Sequence, residues 1–576
     1  MERGSEKCEY PRDLPGYRGE IDKLEVVARK IPSKAKPSKE SALPPDNISL
    51  TDMAARAMHH LIHNPLPDRG YVCRFDVDLL RYPTSMWPGT RDPGITFGDT
   101  ESRMDREFIY MREMSGSEEG REVEAAIRKR ILGYVREDGL SWLPPYCTNC
   151  DLGDQEPCAI PWTSEHTILS LVELYTRTGD KQKIILAKKL VNGLKSLASW
   201  DTGRAYYPGG MGGWRKSGWI YTGCSDSYPC ILESIARYIE VTSDEEALEF
   251  AEAFADGIIA GLQTNLGANR ILSDGSFGGY NCHLHMRAVL GIGHLGVLTR
   301  NTRYIEWARR VYDFLISQGT DWGWFPESIG RPNSETCATG DMADLASWLA
   351  QAGYSRYWDD LERFVRNYIR EAQFFVTPEY EALYHRLHKD HLQEAEEGIR
   401  QARDFEGGFI SVLTPNSLIF EGRVGIGGCC TPEGMRTLHI AWRNVVTESP
   451  AGVFVNLLFN REAPQARVVS LAPEVGQLTV IVKKPADFFL RPPSWTPRAD
   501  VKALRGSKEV PPVWKGDYVK FENLSKDEEL TITFPVLRFS QRVEVASRSY
   551  IYHWMGSTVT GVDPAGEDLP LFAKVR

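Results

Sequence analysis

No run of 18 or more apolar residues occurs in the 576-residue chain, so no membrane-spanning helix is expected. Basic residues are not in excess: 68 Lys and Arg stand against 78 Asp and Glu, a formal net charge of -10. Nucleic acid and anionic membrane surfaces both ask for a basic stripe, and the composition favours neither. The first thirty residues, opening MERGSEKCEYPRDLPGYRGE, hold no apolar core of a secretory signal, which makes the cytoplasm the expected compartment. No P-loop and no G-x-G-x-x-G in a strand–helix setting is found, so a nucleotide role is not expected. The length exceeds that of one ordinary core, so two or more domains are expected.

Cysteine is present in an odd number, 11, and Cys429 and Cys430 are adjacent. Neighbouring cysteines rarely bridge each other, because the geometry is strained. Without an export signal the thiols are expected reduced, which suits metal binding or catalysis better than a disulfide framework. Aromatic residues make up 11% of the chain, with 15 Trp and 24 Tyr. They serve equally as sugar-stacking platforms or as ordinary core.

Residues 1–47, rich in Lys, Pro, Ser and Glu, read as an extended arm lying over the domain or partly disordered. From Leu50 the segment SLTDMAARAMHHLIHN combines a Ser or Thr cap with apolar residues at helical spacing. The chain then repeats itself. Segments starting at His166, Tyr228, His285 and Thr339 each read as an amphipathic helix, a short polar turn and a second amphipathic helix. The starts are roughly 55–60 residues apart, the range of helical-pair repeats. Such pairs bury their apolar stripes only against neighbours. About six of them would close into an (α/α)6 barrel, a toroid expected over residues 48–449. Its inner-helix N-termini would surround one cleft. After about Ser449 the texture changes. GVFVNLLFN, QLTVIVKK, DFFLRPPSW, DYVKFENL and EELTITFPV are short, rich in β-branched and aromatic residues, and separated by turn residues. They predict a β-sandwich over 450–576. The fold class is therefore mainly α with appended β.

Two local patterns carry chemistry. NSETCATGDMA sets Glu335 two residues before Cys337. GIGGCCTPEGMR sets Cys429 and Cys430 ahead of Arg436, with Gly425, Gly427 and Gly428 allowing a tight approach before them. Together they offer three thiols and a carboxylate, a donor set that suits tetrahedral zinc. Taken singly, each cysteine reads as a small buried apolar residue.

These patterns resemble glycoside hydrolase family 127, the zinc-dependent cysteine glycosidases that include β-L-arabinofuranosidases. DFFLRPPSW is similar to the family's sandwich strand with its R-I-P-x-W element. The resemblance implies an (α/α)6 barrel joined to a β-sandwich. It implies Zn2+ on Glu335, Cys337, Cys429 and Cys430, and Cys429 as the nucleophile of a retaining exo-glycosidase. It implies a small oligosaccharide or glycoside as substrate, β-L-arabinofuranoside or a related furanose. Zinc ligation would hold as thiolate a group whose free pKa is near 8.5. A second group must then protonate the leaving oxygen and later activate water. A closed four-ligand shell is also that of an inert structural site.

Glu327, in DWGWFPESIGRPNSETC, is the expected acid/base. Its loop is shorter than in the arabinofuranosidases of the family, and Trp322, Trp324 and Phe325 are expected to desolvate it. Glu165 is the reserve candidate. His166, His283 and His285 sit at inner-helix starts and resemble family positions lining the sugar pocket. Asp226 holds the matching place in the second repeat, and Arg436 is also expected at the substrate. Asp99, Glu101 and Arg103 read as a hydroxyl grip or, preferably, a helix cap near Ser102. Glu433 departs from the family, where Asn stands four residues after the first cysteine. It is expected to pair with Arg436, and it puts the sugar's identity in doubt. CTNC, with Cys147, Cys150 and the later Cys158, lacks a fourth ligand for a second zinc site. The sequence does not set the oligomeric state; sandwich domains often help form dimers, so a homodimer is one assembly open to the chain. The competing readings are an (α/α)6 epimerase or carboxylate-based hydrolase, and a non-catalytic carbohydrate binder with structural zinc.

Overall fold

The structure, a computed structural model, describes residues 18, 20–27, 48–86, 99–144, 156–208, 213–220, 230–262, 270–279 and 281–573. The helices are α1 (Leu50–His63), α2 (Asp99–Ser115), α3 (Arg121–Gly133), α4 (Pro161–Thr178) and α5 (Lys181–Ser196). They continue as α6 (Leu232–Thr242), α7 (Glu245–Ala260), α8 (Cys282–Thr299), α9 (Thr302–Gln318) and α10 (Thr336–Gln351). The last are α11 (Tyr357–Phe364), α12 (Arg370–Ala372), α13 (Pro378–Leu387), α14 (Leu392–Arg403) and α15 (Cys430–Val445). Between α11 and α12 the chain widens into a π-helical stretch, Val365–Ile369.

Local chemistry starts these helices where the sequence predicts. At α1, Ser49 caps the first turn, its Oγ accepting from the Asp52 amide at 3.2 Å. Apolar faces then sort them into two layers. On α9, Tyr304, Ala308, Val311, Tyr312 and Leu315 are buried along one stripe, as an outer helix requires. On α8, every residue from Cys282 to Gly296 is buried, which only an inner helix can support. Gly291 lets α6 close in: a Cβ there would lie 2.5 Å from the Leu232 Cβ.

The inner layer is α2, α4, α6, α8, α10 and α15, each packed on the next, with α15 closing back on α2. Outside them lie α1, α3, α5, α7, α9 and α11. This is the (α/α)6 toroid.

All six inner helices send charge to the axis. Arg103 of α2 pairs with Glu433 of α15 at 2.8 Å. Arg287 of α8 pairs with Glu165 of α4 at 2.6 Å and with Glu233 of α6. Arg436 of α15 meets Glu433, Glu233 and Asp341 at 2.7, 2.8 and 3.1 Å. Every one of these groups is buried, so an unpaired member would carry a large desolvation penalty. Each helix is thereby held at one rotation about its own axis.

α15 ends at Val445, and strands begin at once. A five-stranded sheet runs in the order Val446–Ser449, Gly452–Val455, Phe488–Leu490, Tyr518–Phe521, Val513–Lys515. A six-stranded sheet runs Arg461–Glu462, Ala466–Ser470, Gln477–Val482, Glu529–Thr533, Lys502–Arg505, Lys508–Val510. Val453, Val455 and Leu490 of the first share an apolar core with Val468, Val480 and Ile532 of the second. A four-stranded sheet joins Glu20–Val27, Val536–Val545, Arg548–Met555 and Thr558–Asp563. It docks on the toroid, with Trp322 5.6 Å from Tyr552 and the Tyr552 hydroxyl donating to the Pro415 carbonyl at 3.1 Å. Within the segment expected as an arm, Glu20–Val27 is thus an edge strand, with Glu20 opposite Arg542 and Val27 opposite Val536. Among the described residues no helix is long and apolar enough to cross a membrane.

Candidate active site and metal centre

Two neighbouring inner helices begin at the same point. Glu335 occupies the N-cap of α10 and Cys337 its first turn; Cys429 occupies the N-cap of α15 and Cys430 its first residue. Their ligand atoms all lie within 4.8 Å of one another. Cys430 Sγ is 3.3 Å from Cys337 Sγ, 3.7 Å from Cys429 Sγ and 3.9 Å from a Glu335 oxygen. Two thiolates on one tetrahedral zinc, each bonded at about 2.3 Å, stand about 3.8 Å apart. Three sulfurs and one oxygen at this spacing fit such an ion, and Glu335 Oε2 is buried with no hydrogen-bond partner among the described residues. The four residues could hold a metal ion. Both helix N-termini add positive potential to the cluster, which favours thiolate and carboxylate.

The three thiols are not equivalent. Cys337 is 0% and Cys430 2% exposed, whereas Cys429 is half-buried. Burial pushes the Cys337 and Cys430 thiols up. Hydrogen bonds from those two thiols, aided by Arg103 and His283 against the effect of burial, hold Cys429 well below the usual thiol range. Cys429 is thus the most accessible of the three sulfurs and the one whose surroundings favour the thiolate.

The chain reaches this point through a crowded approach. The strand Gly425–Gly427 pairs antiparallel with Asp76–Asp78. The Gly428 amide donates to the Phe75 carbonyl at 2.5 Å, and a Cβ on Gly428 would lie 2.8 Å from the Phe75 ring. That pairing delivers a carboxylate that sequence reasoning did not find. Burial, then the charges of Cys429 and Glu327, push Asp76 up to about 8. No local signal marks Asp76, which lies more than 300 residues from Cys429 in the chain.

Glu327 is fixed by its neighbours. Its amide donates to the Asn333 carbonyl (2.9 Å), Asn333 Nδ2 donates to its Oε2 (2.7 Å), and its carbonyl accepts from the Cys282 amide (2.6 Å) at the start of α8. The Glu335 amide donates to the Phe325 carbonyl (3.3 Å) and Pro326 bridges Ser334, so the segment that carries Glu327 is paired with the segment that carries Glu335. The aromatic residues expected to desolvate it are engaged elsewhere. Trp322 packs on Tyr368, Tyr552 and Phe572, Trp324 donates to the Leu413 carbonyl, and Phe325 packs on Phe364.

His283 and His166 come to the same floor. His283 Nδ1 donates to Asp341 at 2.5 Å, and its Nε2 is buried without a partner among the described residues. Trp162 Nε1 donates to His166 Nε2 at 2.7 Å, which leaves the buried Nδ1 of His166 as the protonated nitrogen. Burial, then Arg103 and Arg287, keep the His166 ring neutral. Trp162, half-buried, lies 5.8 Å from the His283 ring and under the Arg103 guanidinium. It is a floor residue that the repeat pattern did not single out.

Other expected site residues stand elsewhere. His285 directs Nδ1 to the Asn281 carbonyl at 2.9 Å and stacks on Phe277, which packs against Phe314 of α9. Its ring therefore faces the outer layer, because it lies two residues from His283, well off that residue's helix face. Arg436 is buried in the axial network, its guanidinium taken up by carboxylates. Glu433 pairs with it as expected, one turn away. Glu165 is bound to Arg287; burial outweighs that cation and pushes its carboxyl up to about 7. α2 starts at Asp99, not near Ser102, and Glu101 is a buried acceptor for the Cys73 amide (3.4 Å) and a partner of Arg130. Asp226, Cys147 and Cys150 lie outside the described residues; Cys158 is buried in the strand Cys158–Ala159.

No family model matches the chain, and no curated protein matches it in sequence. Solved structures do. A GH127 β-L-arabinofuranosidase from Geobacillus stearothermophilus superposes with a TM-score of 0.58 at 14% identity, over 81% of this chain and 77% of that one. A second GH127 β-arabinofuranosidase gives 0.60 at 14% identity, over 89% and 81%. A structure described as a glycoside hydrolase gives 0.57 at 13% identity, over 80% and 77%. At these identities the likeness is one of fold: the chain has the barrel-and-sheet architecture of those enzymes, as the sequence resemblance implies.

Proposed function

We propose that this protein is a retaining, exo-acting glycoside hydrolase for a β-L-arabinofuranoside or a related furanose. In this reading Cys429 is the nucleophile, Glu327 the acid/base, and Glu335, Cys337, Cys429 and Cys430 the zinc site. The observation that carries it is the gathering of those four residues at two inner-helix N-termini, with Cys429 the most accessible sulfur. The zinc, when bound, supplies positive charge that keeps the thiols ionised at neutral pH.

Cys429 Sγ attacks the anomeric carbon as the bond to the leaving oxygen breaks, and the Glu327 carboxyl gives that oxygen its proton. The product of this step is a sugar joined to Cys429 through a C–S bond. Glu327, now a carboxylate, takes a proton from water as the water oxygen bonds to the anomeric carbon. The C–S bond breaks and Cys429 leaves as thiolate. Two displacements at one carbon give net retention. Asn333 holds the Glu327 carboxyl in place through both steps. His283 and His166 offer ring nitrogens to sugar hydroxyls, and Trp162 offers a face for the ring. Arg436 acts at one remove, by fixing Asp341, which orients His283.

The test is turnover of p-nitrophenyl β-L-arabinofuranoside and zinc per chain, in wild type and Cys429→Ser. The expected result is about one zinc per wild-type chain and at least a thousandfold loss of kcat in the variant. A Cys429→Ser enzyme as active as wild type refutes the nucleophile assignment. Wild type that binds zinc but turns over no glycoside in a broad panel favours the structural-zinc reading.

A further inference from the structure

The ligand-bearing segment is held from behind. Ser334 and Glu335 enter α10 as extended chain and Thr336 opens the helix, the Ser334 amide donating to the Leu413 carbonyl and the Thr336 amide to the Ser411 carbonyl, both at 2.9 Å. Side chains alternate along such a stretch, so Ser334 and Thr336 face one way and Glu335 the other. Both hydroxyls meet that of Tyr368, at 2.8 and 3.2 Å.

Proton counting gives the direction. Ser334 Oγ donates to the Leu413 carbonyl at 3.1 Å, and Thr336 Oγ1 to the Ile410 carbonyl at 2.5 Å. Each hydroxyl has one proton, so with those two directed at carbonyls the single proton of Tyr368, which is fully buried, is shared between Ser334 Oγ and Thr336 Oγ1. Tyr368 lies in the π-helical stretch Val365–Ile369. The two residues before it face the sheets. Arg366 donates to the Leu458 carbonyl (2.5 Å) and pairs with Glu362 (2.9 Å), which accepts from the Leu458 amide (2.8 Å). Asn367 donates to the Ser557 carbonyl (3.0 Å) and accepts from the Val559 amide (2.7 Å). An α-helical register would space these side chains differently, and π turns of this kind recur at functional sites.

We propose that the π-helical turn is a mount that couples the C-terminal sheets to the metal ligands, with Tyr368 as a positioning residue that sets Glu335 through Ser334 and Thr336. The inference rests on the reading that Glu335 and the three cysteines bind a metal. It assigns the appended sheets a part in the site. Outer partners of ligand residues commonly change metal affinity by about 10–100-fold.

The experiment is cobalt(II) titration of the full chain, followed by the thiolate-to-cobalt and d–d absorption bands, with zinc affinity from chelator competition. Tyr368→Phe and Thr336→Val are compared with wild type, and circular dichroism confirms that each is folded. Both variants should bind zinc about tenfold or more weakly and show shifted d–d bands, and Asn367→Ala, acting from the sheet side, should move both in the same direction by less. Thr336→Val keeps the result decisive if Tyr368→Phe does not fold. Folded variants with wild-type affinity and spectrum overturn the proposal while the metal reading stands. A wild type that takes up neither cobalt nor zinc overturns both.

Discussion

Replacing Arg436 with Met removes one guanidinium from a point where four carboxylates meet, Glu433, Glu233, Asp341 and Asp344, at 2.7, 2.8, 3.1 and 3.4 Å. At an effective dielectric constant of about 20, unit charges about 3 Å apart attract by about 5.5 kcal/mol per pair. Most of that is offset by taking the ions out of water, and removing one partner of a buried pair costs about 3–5 kcal/mol net. With an unfolding entropy of about 2 cal/mol/K per residue over the roughly 400 residues of the helical unit, ~4 kcal/mol lowers the apparent melting temperature by about 5 °C. The loss should depend on pH. Burial pushes Glu433 up, but Arg436, Arg287 and Arg103 together hold it well below the usual carboxylate range. Without Arg436 its folded value rises. Once that exceeds the unfolded value the folded state binds the extra proton, so the variant recovers stability as pH falls from 8 towards 5. Thermal unfolding of wild type and variant across that range, with KM at neutral pH, is the assay. A melting temperature within about 1 °C of wild type, joined to a raised KM, would show that Arg436 touches the substrate and that the network does not hold the barrel.

Glu327→Gln should lower kcat by about 10²–10⁴, with partial rescue by azide, which needs no base; an unchanged kcat would reassign the acid/base. Gly428→Ala places a Cβ 2.8 Å from the Phe75 ring and 2.9 Å from Thr100. It should displace the cysteine pair and cut zinc per chain, which metal analysis of the folded variant checks; full zinc content would show that the approach can relax. Glu173 is pushed up by burial but held down at about 2 by Arg237 and Arg177. Its depressed pKa contributes stability above the ordinary value of 4.5, lost as pH falls through that value towards 2. Acid unfolding should therefore be less steep in Glu173→Gln, and parallel curves would remove Glu173 from the account.

The sequence carried the barrel plainly. Pairs of amphipathic helices at regular spacing bury their apolar stripes only against neighbouring pairs. The strands Gly452–Val455, Gln477–Val482, Phe488–Leu490, Tyr518–Phe521 and Glu529–Thr533 were legible in their β-branched and aromatic residues, whereas Ala466–Ser470, Lys502–Arg505, Lys508–Val510 and Val513–Lys515 were not singled out. The four residues that could hold a metal ion were legible as two short patterns joined by a family resemblance. Spacing along the chain said nothing about the distance between Cys337 and Cys430. The edge strand Glu20–Val27 was not visible, because pairing with Val536–Val545 is chosen by a partner more than 500 residues away.

What the sequence determined by itself is which faces are apolar, where helices start and stop, and which soft donors are available. What only the tertiary structure decided is which polar groups meet. Closure of the ring sets Arg436 among carboxylates, turns His285 outward, packs Trp322, Trp324 and Phe325 into the core, brings Trp162 against His283, and pairs Asp76 with the strand that leads to Cys429. The reason is physical. Hydrophobic burial is non-directional and shows in one helix's periodicity. A buried charge or hydrogen bond is defined only by its partner, and here the partners lie on different helices around a closed ring.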